Sequence, residues 1–344
     1  MSFKYTAGLN NMGSYQVSGR PWLKTAAFSG VQSKFYEFPN VTDYIKVMND
    51  VNGDTANLDI VFCEPKRAIN FASTNEYLET ALSTNVDQCT LSAWIKLNEG
   101  INDIKGKWFL EILGGNGIRV QTTSSPKFKL FVGTTAVTDT TTTLTSGPWI
   151  NLTLTVTGLG ANLYLNGELL ITVAEDAGTG FSGVALGGDG ATGYDGIYDE
   201  SVFFNTALTA AEVSELYNAG ATLRLRDHSK FSNLVSHWQF EDNSYKVFNT
   251  TPDATDRIYD RISSNNLELE GGSNAMVFVD GRVLENALSH HKITLIDQQE
   301  IVLNCKAKQI FLRSTADVDV SICAGLTGIP AARMYELTGP GIDE

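Results

Sequence analysis

The sequence predicts an all-β protein. Glycine is frequent, with 31 among 344 residues, while long helix-favouring runs are scarce. The segment from Ile150 to Val156 alternates apolar and polar residues without a fault, as a half-buried strand does. Asn166-Gly167 separates two apolar runs and supplies the positive φ values that a two-residue hairpin turn requires. Short strands joined by tight turns account for all three observations.

The length of the chain predicts two domains, because 344 residues exceed the usual size of one hydrophobic core. Both ends show short alternating segments, but neither end, at about sixty residues, is expected to bury a stable β core alone. We therefore predict that residues 1–63 and 284–344 pair into one smaller outer β-sandwich domain. Residues 64–283 would form a second β-sandwich inserted between them.

The charge balance excludes one class of partner. A formal net charge of -14 argues against a surface that neutralises nucleic-acid phosphates. The first residues lack the apolar run of a signal peptide, and no segment approaches the ~20 apolar residues of a membrane span. We expect no nucleic-acid partner, no membrane insertion and assembly in a cytoplasm-like compartment.

Two local patterns define strands and their faces. Leu91 to Leu97 places apolar residues at every second position, with Trp94 on the opposite, polar side. Met276 to Val279 reads as a strand, and the Asp280-Gly281 pair after it predicts a turn.

One helix is predicted near the middle of the chain. Thr209 and Glu212 have the spacing of a capping box, and Leu208 is placed to pack on Val213. Gly220 is the expected end of this helix.

The cysteines and histidines offer no metal or redox motif. Cys63, Cys89, Cys305 and Cys323 lie far apart without a CxxC pair, so we expect buried free thiols. The pair His290-His291 is expected in a linker at the re-entry into the outer domain.

Five segments, taken in order, carry a family resemblance. They are Ala68 to Glu79, Thr90 to Lys96, Trp149 to Val156, Leu163 to Glu168 and Gly196 to Asn218. Together they resemble the laminin-G-like, concanavalin A-like family, which implies a two-sheet jelly roll for the inserted domain. The opening strand of that family looks to be present after the helix instead, in His237 to Asp242 and Arg261 to Leu269. The resemblance thus implies either a circular permutation or an extra layer.

The flanking sequences resemble virion structural proteins of tailed bacteriophages. The similar segments are Gly13 to Trp22, Glu37 to Val47 and Ala324 to Met334. This likeness implies a capsid decoration protein on the virion surface, assembled in the host cytoplasm, whose outer domain anchors it and whose lectin-like insert projects for adhesion. The implied partners are the major capsid protein or other virion proteins, further copies of the chain, and host-surface glycans. The alternative is a tail or receptor-binding component that grips host glycans.

A third alternative, a glycan hydrolase, requires paired carboxylates on one face. Asp199 and Glu200 are adjacent, so on a regular strand they point to opposite faces. Glu268 to Glu270 and Asp317 to Asp319 share faces, but both alternate with apolar residues and are expected to be solvated strand faces. Gly188 to Gly193 matches G-x-G-x-x-G without a following helix, so it is expected to be loop. We predict no catalytic residue and no enzyme.

The resemblance also implies a calcium ion. Its expected ligands are Asp199 and the loop of Asn75 and Glu76, because a hard cation binds carboxylate, amide and carbonyl oxygens. The alternative is that Asp199 caps a turn without a metal.

Three aromatic residues are candidates for stacking on sugars. They are Trp94, on the polar side of its strand, and Tyr194 and Tyr198, beside the glycine loop. The alternative is that Tyr198 and Trp94 are covered by the other domain, since aromatic side chains contribute most often by burial.

Overall fold

The structure is a computed structural model of the chain. It describes residues 21–30, 32–50, 56–61, 67–71, 76–97, 106–123, 127–139, 142, 144–188, 196–220, 223, 225–240, 257–271, 277–282, 292–296 and 298–334. Asn75, Tyr194, Cys63, His290 and His291, which the sequence singled out, lie outside these residues.

The described residues form 24 β-strands and a single α-helix, which confirms the all-β fold class. The helix, α1, spans Ala210–Tyr217. The strands are β1 (Pro21–Phe28), β2 (Gln32–Glu37), β3 (Asn40–Asn49), β4 (Leu58–Val61), β5 (Arg67–Phe71), β6 (Glu76–Val86), β7 (Cys89–Leu97), β8 (Trp108–Leu113), β9 (Ile118–Thr122), β10 (Phe128–Val132), β11 (Thr135–Thr138), β12 (Trp149–Thr157), β13 (Gly160–Leu165), β14 (Glu168–Val173), β15 (Phe181–Leu186), β16 (Gly196–Phe204), β17 (Leu234–Trp238), β18 (Arg257–Ile258), β19 (Leu267–Gly271), β20 (Val277–Asp280), β21 (Lys292–Leu295), β22 (Glu300–Leu303), β23 (Gln309–Ser314) and β24 (Val318–Pro330).

The chain divides into two compact units. The outer unit comprises Met1–Pro65 and Val283–Glu344, and the inserted unit comprises Lys66–Arg282. Compared with the boundaries expected from the sequence, the first division falls two residues later and the second one residue earlier. Both chain ends therefore contribute to one unit, and the inserted unit lies between them in sequence.

The outer unit is a β-sandwich of two four-stranded antiparallel sheets. Their strand orders are β1-β24-β3-β22 and β2-β23-β4-β21. Buried residues from both sheets, among them Val47, Ile60 and Ile322, share one hydrophobic cluster. The buried carboxylate of Asp59 accepts hydrogen bonds from Lys292 Nζ (2.8 Å) and Thr294 Oγ1 (2.6 Å), so its charge is compensated.

The inserted unit is a larger sandwich. Sheet I has the order β11-β10-β9-β8-β15-β6-β19-β18. Sheet II has the order β14-β13-β12-β7-β16-β5-β20, and β17 pairs with β16 as well. Side chains from the inner faces of both sheets form the main core, including Phe109 and Phe128 from sheet I and Leu91 and Phe203 from sheet II.

The predicted strand and hairpin of sheet II are confirmed. Leu91 to Leu97 lies in β7, with its alternate apolar residues in the main core. Between β13 and β14, Leu165 pairs with Glu168, which leaves Asn166 and Gly167 as a two-residue turn. Their φ values of 50° and 79° are positive, as the predicted turn requires.

The helix covers part of the outer face of sheet II. Thr209 forms the predicted capping box with Glu212, and Leu208 and Val213 lie in one hydrophobic cluster with Phe204 of β16. The helix ends three residues before the expected Gly220, because Asn218 adopts the left-handed conformation (φ 48°) that terminates it. Sheet II therefore has apolar residues buried on both of its faces.

The segments after the helix add strands to both sheets. Strand β17 pairs with β16 of sheet II, while β18 and β19 extend sheet I beyond β6. Strand β20 then returns to sheet II and pairs with β5. The described part of this region thus joins the two sheets rather than forming an extra layer.

The expected solvated strand faces are confirmed. Glu268 and Glu270 are exposed while Leu267 and Leu269 are buried, and Asp319 is exposed between buried neighbours. Glu268 pairs with Arg257 at 3.2 Å.

Three of the cysteines are described, and all are free thiols. Cys89 is buried, and its burial raises the pKa of the thiol well above the usual range. Cys305 and Cys323 are only partly buried. No helix within the described residues is long and apolar enough to cross a bilayer.

Like charges on sheet I generate a testable prediction. Glu79 lies directly opposite Glu268, and burial followed by the charge of Glu270 raises its pKa above the usual value of 4.5. The folded state therefore holds the Glu79 proton more tightly than the unfolded state, and stability decreases as pH rises through the shifted range. We expect Glu79→Gln to stabilise the protein at pH 7 by about 0.2–1 kcal/mol, since like charges directly opposite are destabilising.

This gain should shrink at about pH 3, which lies below the pKa of the carboxyl in both states, so that it is protonated in the folded and the unfolded protein. Urea unfolding of both proteins at the two pH values measures it. Glu175→Gln, at an exposed loop position, is the control. A Glu79→Gln variant that is less stable than wild type at pH 7 would contradict the prediction.

Candidate functional site

The candidate site lies where strand β16 contains one extra residue. Opposite β7, Asp199 pairs with Trp94 and Val202 pairs with Ser92, so three steps along β16 match two steps along β7. This irregularity is a β-bulge. Within it, Glu200 has a φ of 45°, a left-handed conformation that non-glycine residues rarely adopt.

The bulge coincides with a change of neighbouring strand. On its other edge, β16 pairs with β5 from Gly196 to Tyr198 and with β17 from Ser201 to Phe204. Asp199 and Glu200 lie between the two pairings. Both carboxylates therefore lie where the neighbouring strand on that side of β16 changes from β5 to β17.

The extra residue changes which side chains share a face. Tyr198 and Phe203 are five positions apart and would face opposite sides of a regular strand, yet both lie in the main core. Asp199 is paired with Trp94 on the outer face, and Glu200 lines the same small cavity as Trp94. The expectation that Asp199 and Glu200 point to opposite faces is therefore wrong, because it assumed a regular strand.

Asp199 is held by the backbone that follows β20. The residue is 1% exposed, and its Oδ2 accepts a hydrogen bond from the Arg282 backbone N–H at 2.8 Å. Gly281 makes this approach possible, because a Cβ atom there would lie 2.9 Å from the Arg67 carbonyl oxygen and 3.0 Å from Asp199 Oδ2. At the predicted Asp280-Gly281 turn the backbone thus passes close to the Arg67 carbonyl and the Asp199 carboxylate, and glycine is required there for space.

The Arg282 side chain lies over the same face. Its Cζ atom is 3.9 Å from the centroid of the Trp94 ring, and its Nη1 donates to the Gly220 carbonyl oxygen at 2.7 Å. Burial lowers the pKa of the Arg282 guanidinium, while the charges of Asp199 and Glu200 oppose that shift. Arginine fits here because its flat guanidinium can stack on an indole while donating hydrogen bonds in its plane.

Glu200 is engaged as well. Its Oε2 lies 2.6 Å from His237 Nε2, and both side chains are mostly buried. The backbone N–H of His237 donates to Asp260 Oδ1 at 2.9 Å, which holds β17 beside the bulge. Hydrogen bonds to the charged form hold the pKa of Asp260 below its usual value, although burial opposes this.

Two aromatic candidates prove to be buried. Trp94 is 8% exposed and stacks on Tyr217 of α1, with ring centroids 5.7 Å apart. Tyr198 is completely buried, and its hydroxyl donates to the Phe109 carbonyl oxygen at 3.0 Å. The prediction that these rings are available for sugar stacking is therefore corrected: the helix layer covers Trp94, and the core encloses Tyr198.

The space between these side chains is small. Ser92, Asn151, Glu200 and Arg282 line a cavity of about 40 Å³ together with Trp94 and other apolar side chains. Sites for small molecules usually measure about 300–1,000 Å³, whereas one water occupies about 30 Å³ of liquid. This cavity can hold water among polar groups, but it cannot admit a sugar ring.

Two of the three residues expected to bind calcium, Asp199 and Glu76, lie within the described residues. Asp199 accepts a hydrogen bond from Arg282 N, and Glu76, the other carboxylate of that set, is 1% exposed at the start of β6. The described residues contain no group of three or more His, Cys, Asp or Glu side chains able to hold a metal. Because calcium takes six to eight oxygen ligands and Asn75 lies outside the described residues, calcium binding stays a prediction.

Sequence reasoning missed the roles of Glu200, His237 and Arg282. No local pattern marks a bulge within the strand-like run of β16, and Arg282 reaches Trp94 only through the return of β20. The signal that was available is Gly281, since an isolated glycine at the end of a strand often marks a close backbone approach.

The comparisons with known proteins agree with this fold. Residues 72–214 match the Laminin_G_3 family, described as the concanavalin A-like lectin/glucanases superfamily. The inserted unit is a concanavalin A-like jelly roll. The family match runs from β6 into α1, so β17 to β20 and the outer unit lie outside it. A search of the curated proteins finds no match.

Solved structures to which the chain is similar include a protein from Bacteroides ovatus described as carbohydrate binding, at 12% identity with a TM-score of 0.47, covering 78% of this chain and 94% of that one. A heptameric SAP-like pentraxin from Limulus polyphemus is 14% identical with a TM-score of 0.34, covering 48% of this chain and 83% of that one. Domain 4 of the arabinanase AbnA from Geobacillus stearothermophilus is 14% identical with a TM-score of 0.37, covering 52% of this chain and 98% of that one.

The backbone of Glu200 generates a second prediction. Glu200→Gly and Glu200→Ala both remove the contact with His237, but only alanine retains the steric cost of a positive φ. We expect the glycine variant to be more stable than the alanine variant by about 1 kcal/mol, measured by denaturant unfolding.

The same pair of substitutions at Thr172, an exposed position in β14, is the control. There the order should reverse, because glycine weakens a regular strand. Greater stability of the alanine variant at position 200 would show that the bulge carries no such cost.

Proposed function

We propose that the protein is a non-catalytic structural component of a tailed-bacteriophage virion, which decorates the capsid and displays its lectin-like inserted unit. The observation that carries this proposal is the division of the chain, in which both ends build one sandwich and the jelly roll is inserted between them. Such an insert can carry a binding surface while the outer unit keeps its own core. Parts of all three segments that resemble virion proteins lie in described strands of the outer unit.

The outer unit has a face suited to docking. On the outer side of the sheet β1-β24-β3-β22, Leu23, Cys323, Lys46 and Val302 form one cross-strand row. Leu23 is 71% exposed and Val302 is 51% exposed, and the face contains a concavity of about 400 Å³. Large exposed apolar residues grouped on one face are typical of protein interfaces, which supports a particle protein as the occupant.

The inserted unit supports a binding role rather than hydrolysis. The family it matches includes both lectins and glucanases. At the bulge, however, Asp199 accepts from Arg282 N and Glu200 contacts His237, beside a cavity too small for a sugar. A glycosidase needs two carboxylates that flank a bound glycosidic bond.

Symmetric self-association follows from this proposal, because decoration proteins occupy equivalent positions on a closed shell. Host-surface glycans are the proposed ligands of the displayed unit. The competing assignment is a tail or receptor-binding component, which shares the glycan-binding role but differs in its position on the particle.

Co-sedimentation with purified particles tests the anchoring face. We expect the wild-type chain to bind capsids and a Leu23→Glu, Val302→Lys variant to lose at least tenfold in binding, because both changes place charge on the apolar face. Leu159→Glu is the matched control, since Leu159 is 86% exposed but lies in the inserted unit. It should bind like wild type.

A cryo-EM map of the decorated particle locates the chain. Density on the capsid with the outer unit against the shell supports the proposal. Density confined to the tail favours the receptor-binding alternative, and failure to associate with any particle component overturns the virion assignment.

Calcium binding through Asp199 remains part of the proposal for the displayed unit. It predicts that millimolar Ca²⁺ raises the melting temperature of wild type more than that of Asp199→Asn, because a ligand stabilises the state that binds it. In the absence of calcium the variant should already be less stable by about 1–3 kcal/mol, since it weakens the acceptor of the Arg282 N–H. Equal responses of the two proteins to Ca²⁺ would leave Asp199 with the turn-capping role alone.

A further inference from the structure

A second surface of the inserted unit combines aromatic rings with basic side chains. It lies on the outer face of sheet I, on strands β8, β9 and β10, and we call it the basic aromatic face. Its residues are Trp108, Arg119, Gln121, Lys129 and Phe131, while alternate residues of the same strands point into the main core.

The strand register places these residues in two adjacent rows. Trp108, Gln121 and Lys129 form one row, and Glu111, Arg119 and Phe131 form the next. Across the rows, the Arg119 guanidinium lies 4.6 Å from the Trp108 ring centroid. Lys129 Nζ lies 4.6 Å from the Phe131 ring centroid. The cations are thus held beside the rings by cation–π contacts.

The two rings form one partly exposed apolar surface. Trp108 and Phe131 have ring centroids 5.6 Å apart and an interplanar angle of 47°. Both side chains are of intermediate exposure. Aromatic rings of this kind can contact the C–H groups of a sugar, while neighbouring polar groups fix its orientation.

The local charge is opposite to that of the whole chain. Residues 106–123 and 127–139 contain four basic residues, Lys107, Arg119, Lys127 and Lys129, and two acidic residues, Glu111 and the buried Asp139, whereas the full chain has a net charge of -14. The backbone N–H groups of Thr122 and Thr123 donate hydrogen bonds to the carbonyl oxygens of Lys107 and Lys127, which places both lysines next to the face. A cationic patch favours an anionic ligand, and the same attraction would draw the acidic surface of a second copy of the chain, so the test includes the oligomeric state.

Arg119 also has unused hydrogen-bonding capacity. Its Nε atom is buried and has no hydrogen-bond partner among the described residues. An arginine fork presents five N–H donors that match a carboxylate. Because the Nε atom itself is buried, an oxygen-rich anionic ligand would have to accept hydrogen bonds from the terminal Nη groups of this guanidinium.

From these contacts we propose that the basic aromatic face binds a polysaccharide that carries carboxylate groups, with its sugar rings against Trp108 and Phe131 and its carboxylates at Arg119 and Lys129. This inference rests on the proposed lectin-like function and names the ligand class and a site for it. The site is separate from the bulge in β16, which lies in sheet II.

Calorimetric titration of the full chain at low ionic strength provides the test. The probes are oligogalacturonate, which carries a carboxylate on each ring, and an uncharged maltooligosaccharide of matched length. We expect oligogalacturonate to bind at least tenfold more tightly and its affinity to fall with added salt, because exposed charges are screened.

Variants assign the binding to the face. Arg119→Gln with Lys129→Gln should reduce the affinity for oligogalacturonate at least tenfold, and Phe131→Ala should weaken it independently of charge. Arg257→Gln and Tyr259→Ala are the matched controls, since Arg257 lies at the far edge of the same sheet and Tyr259 is 52% exposed. Melting curves establish that each variant is folded, and Lys129→Gln alone replaces the double variant if Arg119→Gln disturbs the fold.

Several results would overturn the inference. They are equal affinity for the charged and neutral probes, oligogalacturonate binding that survives the double variant, or sedimentation showing that the face is occupied by a second copy of the chain. Stronger binding of single-stranded DNA than of oligogalacturonate would likewise reject it. If particle association persists while oligogalacturonate does not bind, this inference fails and the virion assignment stands.

Discussion

The extra residue in β16 is the constraint on which the organisation of sheet II depends. This strand has buried side chains on both faces, because the main core covers one face and the helix layer covers the other. Tyr198 and Phe203 can both enter the core only if the alternation shifts once between them. The shift occurs at Glu200. Its positive φ means that the backbone strain of the bulge falls on this one residue.

The bulge also determines where charge is buried. Asp199 and Glu200 share one face, and Arg282 crosses that face after β20 pairs with β5. A buried ionic group is tolerated when its partners are in place, whereas loss of one partner leaves the other uncompensated. The contact of Arg282 with Trp94 and Gly220 therefore ties the returning strand to the helix end.

The surface charge is unevenly distributed, and this matters for function. The chain as a whole is acidic, with a formal net charge of -14. On sheet I, carboxylates gather at β6 and β19, while basic and aromatic side chains gather at β8 to β10. The outer unit offers a mainly apolar face instead. Under the proposed function, these chemically different surfaces would serve separate tasks, anchoring by the outer unit and ligand binding by the inserted unit.

The sequence by itself determined the all-β class, the alternating strands β7 and β12, the Asn166-Gly167 hairpin and the capping box of α1, because each depends on near neighbours in the chain. It also showed that Glu268 and Glu270 lie on a solvated face. The burial of Trp94 and Tyr198, the common face of Asp199 and Glu200, and the approach of Arg282 were decided only by the tertiary structure. The physical reason is that a bulge arises from the demands of two packed layers, and that charge pairing across strands far apart in sequence has no local pattern.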